Sequence, residues 1–504
     1  MEASRFLRLI DDSLPRFEVA SSKIDILNHP SEFLDALLAG VASARSRIFL
    51  CSLYIGTDVP VLVSALRTAL RTQPNLTLCV LLDRLRCTRP GPESDGTTRT
   101  TARMLLPLLR EFGPERVVLR FYHTPSFRGL WKWLVPSRLN EGFGLQHIKL
   151  CGFDDQVIVT GANLSSEYFT NRQDRYYRFS DSPSLVQYLD ALATTLGGFS
   201  YSMIQTFDAQ EPTFDWPNTN YTLLPLEQSD ETTIREAAHR HLMPVIWNCK
   251  TREKGTRGKT TADTVVYPLA QFTPLLGRLG THDSHRSTHE WAVTHLLGFI
   301  LAHCATWTLS TPYLALTPGL RRWLTGNQIR PTSRPQTGTV IAAAPEAMSF
   351  YGAKGLARYI PRAFSEEFRK LQRLIDLNAP STTPSLLQWR RGIAHAKNGW
   401  TFHAKGWWIG GVCDEKDDLS MTSIGSSNYG ERSLNLDLEL DLLIVTRDPE
   451  LKRRIHGEER KILKYGQSVG RAGQGKRGKS PGHMLEGVVV WVLMLVIGLM
   501  GLSI

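Results

Sequence analysis

The sequence predicts an α/β protein of two similar lobes, each a mixed β-sheet flanked by helices and related by pseudo-twofold symmetry, followed by a C-terminal transmembrane helix. Three observations predict this. The chain has 504 residues, too many for one ordinary domain, and 42% hydrophobic against 21% charged residues excludes a mainly disordered chain. A strand, turn and helix pattern at residues 47–69, RIFLCSLYIGTDVPVLVSALRTA, recurs at 305–324, ATWTLSTPYLALTPGLRRWL. Each is preceded by a helical pattern, SEFLDALLAGVASA and HEWAVTHLLGFILAH. The third observation is the apolar run 487–504, GVVVWVLMLVIGLMGLSI, which carries no charge and as a helix would span roughly 27 Å.

Along the chain, residues 1–21 are an N-terminal extension without the apolar core of a secretory signal, and Glu2, Asp11 and Asp12 are unusual for a mitochondrial presequence. The first lobe is expected over 22–220 and the second over 221–465, with the boundary in a polar stretch carrying Pro212, Pro217 and Pro225. Residues 249–262 read as a basic loop. Its GTRGKT resembles a phosphate-binding loop, but Glu253 stands where the first glycine is needed, so no nucleotide site is expected there. A basic linker, 466–483, leads to the anchor, 484–504.

Net charge is +11, from 59 Lys and Arg against 48 Asp and Glu. Residues 451–483 hold ten of these basic residues and two acids, so the body is only mildly basic. That distribution favours an anionic phospholipid membrane over nucleic acid as partner. The seven cysteines are scattered without a CxxC pair, which argues against a disulfide framework or a zinc cluster and for a reducing compartment.

The chemistry is carried by two matching segments. In 144–179, GLQHIKLCGFDDQVIVTGANLSSEYFTNRQDRYYRF, His147 and Lys149 have the spacing that places both on one face of a strand, with Ile148 and Leu150 on the other. Gly161, Ala162 and Asn163 supply a turn, and Asp174 lies eleven residues beyond Asn163. In 401–445, His403 and Lys405 repeat the spacing, Gly425, Ser426, Ser427 and Asn428 supply the turn, and Glu439 is again eleven residues on. His395 and Lys397 spell the same H-x-K, but Asn398-Gly399 follows at once, so His395 is expected on a neighbouring strand before a hairpin turn.

His147, Lys149, Asp154, Gly161 and Asn163, with His403, Lys405, Gly425, Ser427 and Asn428, resemble the twin motifs of the phospholipase D superfamily. More narrowly, GLQHIK, TGANLSSEYFTNRQDRYY and GSSNYGERS resemble the eukaryotic phosphatidylglycerophosphate synthases, over roughly residues 22–450. The second copy departs from the motif at Gly410, where the acid equivalent to Asp154 would stand.

The resemblance implies two phospholipase D-like lobes and phosphatidyl transfer from CDP-diacylglycerol to glycerol 3-phosphate, in a mitochondrial inner membrane. It implies His147 as nucleophile and His403 as general acid/base, an order the residues themselves leave open. Lys149, Lys405, Asn163, Asn428 and Ser427 would hold phosphate oxygens, Asp174 and Glu439 would orient the histidines, and Asp154 is mainly structural. Arg172, Arg175 and Arg432 are expected to bind the second phosphate of the acceptor, with an ion pair to Asp174 as the rival reading for Arg172 and Arg175. No metal site or resident cofactor is expected, although a divalent cation could assist through the CDP moiety. Trp131, Lys132 and Trp133, in FRGLWKWLVPSR, suit a lipid headgroup boundary, with core packing as the plainer alternative. Rival functions are a cardiolipin or phosphatidylserine synthase, a phospholipase or nuclease, or a silent membrane-tethered scaffold.

Overall fold

The computed structural model describes residues 3–92, 98–135, 140–205, 211–247, 263–277, 287–325, 337–377, 384–412 and 419–469. The expected basic loop 249–262, the far end of the basic linker and the apolar run 487–504 lie outside them. Among the described residues no helix is long and apolar enough to cross a membrane.

Two nine-stranded mixed sheets form the frame. The first runs, in spatial order, Thr213–Asp215, Ser200–Ile204, Val117–Tyr122, Thr77–Asp83, Arg47–Cys51, Leu150–Phe153, Gln156–Thr160, Tyr176–Phe179 and Ile24–Leu27. The second runs Gly466–Ser468, Ser385–Trp389, Thr337–Ala343, Cys304–Ser310, Gly406–Val412, Ser420–Gly425, Glu439–Thr446, Thr264–Gln271 and Phe17–Glu18. From Ser200–Ile204 and from Gly466–Ser468 onward the orders and directions coincide. Three parallel strands lead into an antiparallel hairpin and two more antiparallel strands in both sheets. The repeated pattern seen in the sequence is therefore a repeated topology, with Arg47–Cys51 and Cys304–Ser310 in the same place.

Local sequence explains the elements. In helix Pro30–Ser43 the proline opens the first turn, where its missing N–H costs nothing. Phe33, Ala36, Leu37, Gly40 and Val41 follow at helical spacing and are the buried face. Central strands such as Glu439–Thr446, ELDLLIVT, are buried along their whole length, because both faces of the sheet are covered.

Three cores follow. One, with Leu50, Leu66, Leu105 and Phe121, lies on the outer face of the first sheet, and one, with Leu309, Leu320, Phe368 and Trp407, on the outer face of the second. The third is shared: Val157, Tyr177, Leu189 and Leu192 of the first lobe pack in one cluster with Trp408, Ile424, Leu440 and Ile455 of the second. The N-terminal segment belongs to the second lobe. Phe6 stacks on Phe299 at 4.2 Å, Asp11 accepts a bond from Tyr267 Oη at 2.7 Å, and Phe17 pairs with Val266.

Six of the ten basic residues of 451–483 lie on helix Pro449–Leu463 or at its end, Lys464. One of them, Arg454, bonds the carbonyls of Ser21, at the end of the N-terminal extension, and Ile24, in the first lobe. Among the described residues no cysteine forms a disulfide.

Candidate active site

The H-x-K segments lie not in the strands, as their alternation predicts, but immediately before them. Residues 147–149 lead into Leu150–Phe153 and residues 403–405 into Gly406–Val412. Their backbones are paired across the lobes. His147 N donates to Leu438 O at 3.0 Å and Leu438 N to Leu145 O at 2.8 Å. In the other half Thr401 N donates to Asn171 O at 3.0 Å and His403 N to Gln173 O at 2.8 Å. Each histidine segment thus runs parallel to the residues just before the acid of the opposite lobe.

The acid pairing is consequently crossed. His147 Nδ1 lies 3.1 and 3.0 Å from the two carboxylate oxygens of Glu439, and His403 Nδ1 lies 2.6 Å from Asp174 Oδ2. With Nδ1–H donated to a carboxylate, the neutral tautomer carries its lone pair on Nε2, the nitrogen a phosphorus centre can meet. Lys149 Nζ donates to His147 O at 2.5 Å, and Lys405 Nζ donates to His403 O at 2.9 Å and lies 3.7 Å from Asp174.

Both histidines, both lysines, Asn163 and Asn428 are buried. Asn163 Oδ1 and Asn428 Oδ1 are buried without a partner among the described residues, an arrangement that leaves polar capacity at the site for a ligand. Burial, reinforced by Lys149 for His147 and by Lys405 for His403, holds both imidazoles well below their ordinary range, so both are neutral in the empty site. Burial also pushes Asp174 up to about 6 against the pull of Lys405, and Glu439 up to about 7 against that of Lys149. Lys149 is lowered by burial to about 7.

No family model matches the chain. It is 35% identical over 476 residues, 93% of the chain and 88% of the relative, to the CDP-diacylglycerol–glycerol-3-phosphate 3-phosphatidyltransferase of Saccharomyces pastorianus. The chain belongs to this phosphatidyltransferase family. It is also 31% identical over 493 residues, 92% of the chain and 81% of the relative, to the mitochondrial phosphatidyltransferase of Gallus gallus. In fold it is similar to the crystal structure of phosphatidylserine synthase from Haemophilus influenzae, with a TM-score of 0.66 and 16% identity over the whole of both chains.

Within this phosphatidyltransferase fold, the residues singled out in the sequence divide into those at the site and those away from it. Ser427 is buried in the second turn, its N–H bonded to Asp441 Oδ1 at 3.0 Å and its hydroxyl accepting Tyr429 N at 3.2 Å. Asp154 stands at the far end of the hairpin from His147. It sits at φ 49° and accepts bonds from Arg45 N, Ser46 N, Ser46 Oγ and Arg47 N, so it ties a turn and takes no part in chemistry. Its counterpart Gly410 lies inside strand Gly406–Val412. His395 is exposed on a turn rather than a strand and bonds Ser349 O at 3.1 Å.

Arg175 is a correction. Its side chain is fully buried and its nitrogens are occupied by protein. Nε and Nη2 bind Glu458 at 2.9 and 2.8 Å, Nη1 binds Ser423 O at 2.5 Å and Lys405 O at 3.2 Å, and Nη2 also reaches Thr422 and Tyr177. Neither a phosphate nor an ion pair with Asp174 explains it: Arg175 fastens the lobes together behind the site. Gly406, at φ 130°, makes room for it, since a β-carbon there would lie 2.2 Å from Nη1.

Arg432 gives Nε to Asp437 at 2.8 Å and Nη2 to Glu141 O at 2.9 Å, and Arg172 gives Nε to Thr401 at 3.0 Å and Nη2 to Glu167 at 2.5 Å. Two of the three guanidinium nitrogens are therefore committed in each. His147, Asp437 and Glu439 are close enough to share an ion. Their oxygens, however, already serve Arg432, Leu145 N and His147 Nδ1, which makes a poor open ligand set.

Sequence reasoning missed Tyr168. Its hydroxyl lies 3.3 Å from His403 Nε2 and accepts Asn163 Nδ2–H at 3.2 Å. The duplication that exposed the other residues hides this one, because the second copy carries Ser433 in its place.

Proposed function

We propose that the chain transfers the phosphatidyl group of CDP-diacylglycerol to sn-glycerol 3-phosphate, releasing CMP and forming phosphatidylglycerophosphate. The crossed histidine–carboxylate pairs are the observation that supports this chemistry best. His147 Nε2 attacks the phosphatidyl phosphorus, the P–O bond to CMP breaks, and a phosphohistidine forms. The acceptor hydroxyl then attacks, His403 Nε2 takes its proton, and the P–N bond to His147 breaks. Glu439 and Asp174 hold the rings and stabilise positive charge as it develops. Lys149, Lys405 and the two asparagine amides hold the non-bridging oxygens. Arg172 is the best-placed of the three arginines for the acceptor phosphate, beside Tyr168 and His403.

No resident cofactor is needed for these steps, and a divalent cation would act on the CDP pyrophosphate. The names of several relatives favour a mitochondrial location. Contact with the bilayer is proposed at a surface where two segments meet. Trp131, Trp133, Leu130 and Leu134 are exposed, Trp133 at 89%, as are Leu223 and Leu224 of the second segment, Leu223 at 97%. Lys132 to Glu227 at 3.4 Å and Arg128 to Ser229 O at 3.4 Å join the segments. So many exposed apolar side chains on two joined segments fit a monolayer better than water, with the run 487–504 as a second anchor.

Purified protein incubated with labelled CDP-diacylglycerol and, in turn, glycerol 3-phosphate, serine, phosphatidylglycerol or no acceptor tests the assignment. Phosphatidylglycerophosphate formed with glycerol 3-phosphate, and lost by at least about 100-fold in His147→Ala, is the expected result. A preference for another acceptor would refute it.

A further inference from the structure

The two halves of the site are unequal at one point. Tyr168 and Ser433 both lie five residues after the motif asparagine, each third in a five-residue helix, Ser166–Thr170 and Glu431–Asn435. Among the described residues the Ser433 hydroxyl makes no hydrogen bond to either histidine, and it accepts Asn428 N at 3.1 Å and bonds Glu439. The Tyr168 hydroxyl instead sits on His403 Nε2. Asn163 donates to that hydroxyl oxygen, and with His403 as the tautomer that gives Nδ1–H to Asp174 Oδ2, at 2.6 Å nearer than Lys405 Nζ at 2.8 Å, the chain of donors runs Asn163, Tyr168, His403, Asp174. Among the described residues His147 Nε2 has no such partner.

The rings enclose His403 as well. Tyr168 meets its imidazole edge-on at 5.1 Å and 79°, and Tyr313 does so at 6.2 Å and 82°. Arg172 lies 4.5 Å over the Tyr168 ring and pins it. The general base is thus capped by a hydroxyl and flanked by two aromatic rings, whereas among the described residues Nε2 of the nucleophile carries no such cap.

We propose that Tyr168 is a specificity-determining residue that keeps water from His403 during the second half-reaction. The inference rests on the two-step reading above. In that step the P–Nε2 bond to His147 breaks, a P–O bond to the acceptor forms, and the acceptor proton passes to His403 Nε2. Water could follow the same path and give phosphatidic acid. To do so it must displace the tyrosine hydroxyl with nothing else holding it in place. An acceptor anchored by its own phosphate can make that exchange, so the cap favours the alcohol.

Full-length protein is given CDP-diacylglycerol labelled in its phosphatidyl group together with glycerol 3-phosphate, and phosphatidic acid and phosphatidylglycerophosphate are both counted. Tyr168→Phe keeps the ring and should raise the ratio of phosphatidic acid to phosphatidylglycerophosphate about tenfold, whatever happens to the total rate of CMP release. Tyr168→Leu, which also removes the ring, should raise the ratio further, and Ser433→Ala should leave it at the wild-type value. An unchanged ratio in Tyr168→Phe, whatever its rate, overturns the role of Tyr168 while leaving the transfer reading intact. Absence of both lipids from the wild type would overturn that reading itself.

Discussion

The carboxylates and lysines at the site each work in one protonation state, and burial has brought three of them to titrate near neutral pH. Glu439 and Asp174 hold Nδ1–H only as carboxylates, and they are pushed up to about 7 and about 6. In its proposed role Lys149 would hold phosphate only as a cation, and it is pushed down to about 7. Since kcat/KM reports the empty enzyme, it should rise as the carboxylates ionise between those values and fall at higher pH as Lys149 loses its proton. Lys149→Arg keeps its charge, so its alkaline fall should move up by about one unit or more although the maximum drops. An alkaline limb in the same place in both proteins would contradict this. At this scale the sequence showed which residue types meet, because duplication singled out the His, Lys and Asn of each copy. The crossed pairing was not legible: His147 and Glu439 are 292 positions apart, and His403 and Asp174 are 229 apart. Arg175 was misread for the same reason, since Glu458 lies 283 positions away.

Strands and helices were legible wherever apolar spacing decided them, as in the repeated helix, strand and helix of the two lobes. The H-x-K segments were not, because alternation marks an extended chain and does not say whether its partner is its own sheet or the opposite lobe. Pairing with the opposite lobe is what sets each histidine beside its acid, and the Arg175–Glu458 bond lies directly behind that seam. Glu458 also accepts bonds from Tyr177 Oη at 2.8 Å and Trp408 Nε1 at 2.9 Å, so helix Pro449–Leu463 is fastened to both lobes through one carboxylate. Replacing Arg175 by Met leaves that carboxylate buried without its cation and should cost about 3–5 kcal/mol of stability. Denaturant unfolding would measure the loss, and Arg175→Met/Glu458→Gln should recover part of it. The KM for glycerol 3-phosphate should show no selective rise; such a rise with unaltered stability would restore a phosphate-binding role.

The molecule is a duplicated unit that cannot be divided, because each lobe supplies the acid for the other's histidine and the two share a core. Its N-terminal segment illustrates why whole-molecule organisation is the hardest level to read from sequence. Residues 3–18 precede the first lobe in the chain yet complete the second, burying Phe6, Ile10, Leu14 and Phe17. Nothing local to that segment names so distant a partner. Removing residues 1–18 should therefore destabilise the second lobe, by about 5 kcal/mol or more from four large side chains. Hydrogen exchange should quicken in Thr264–Gln271 and its neighbours before it does in the first sheet, and equal acceleration in both would contradict the placement. Trapping the enzyme with CDP-diacylglycerol labelled at the phosphatidyl phosphorus asks whether two crossed histidines pass a phosphatidyl group through a covalent intermediate. The wild-type protein should carry acid-labile, alkali-stable label, and the label should accumulate in His403→Ala, which would form the phosphohistidine but discharge it slowly. His147→Ala should carry none, and label on that variant equal to wild type would contradict the account.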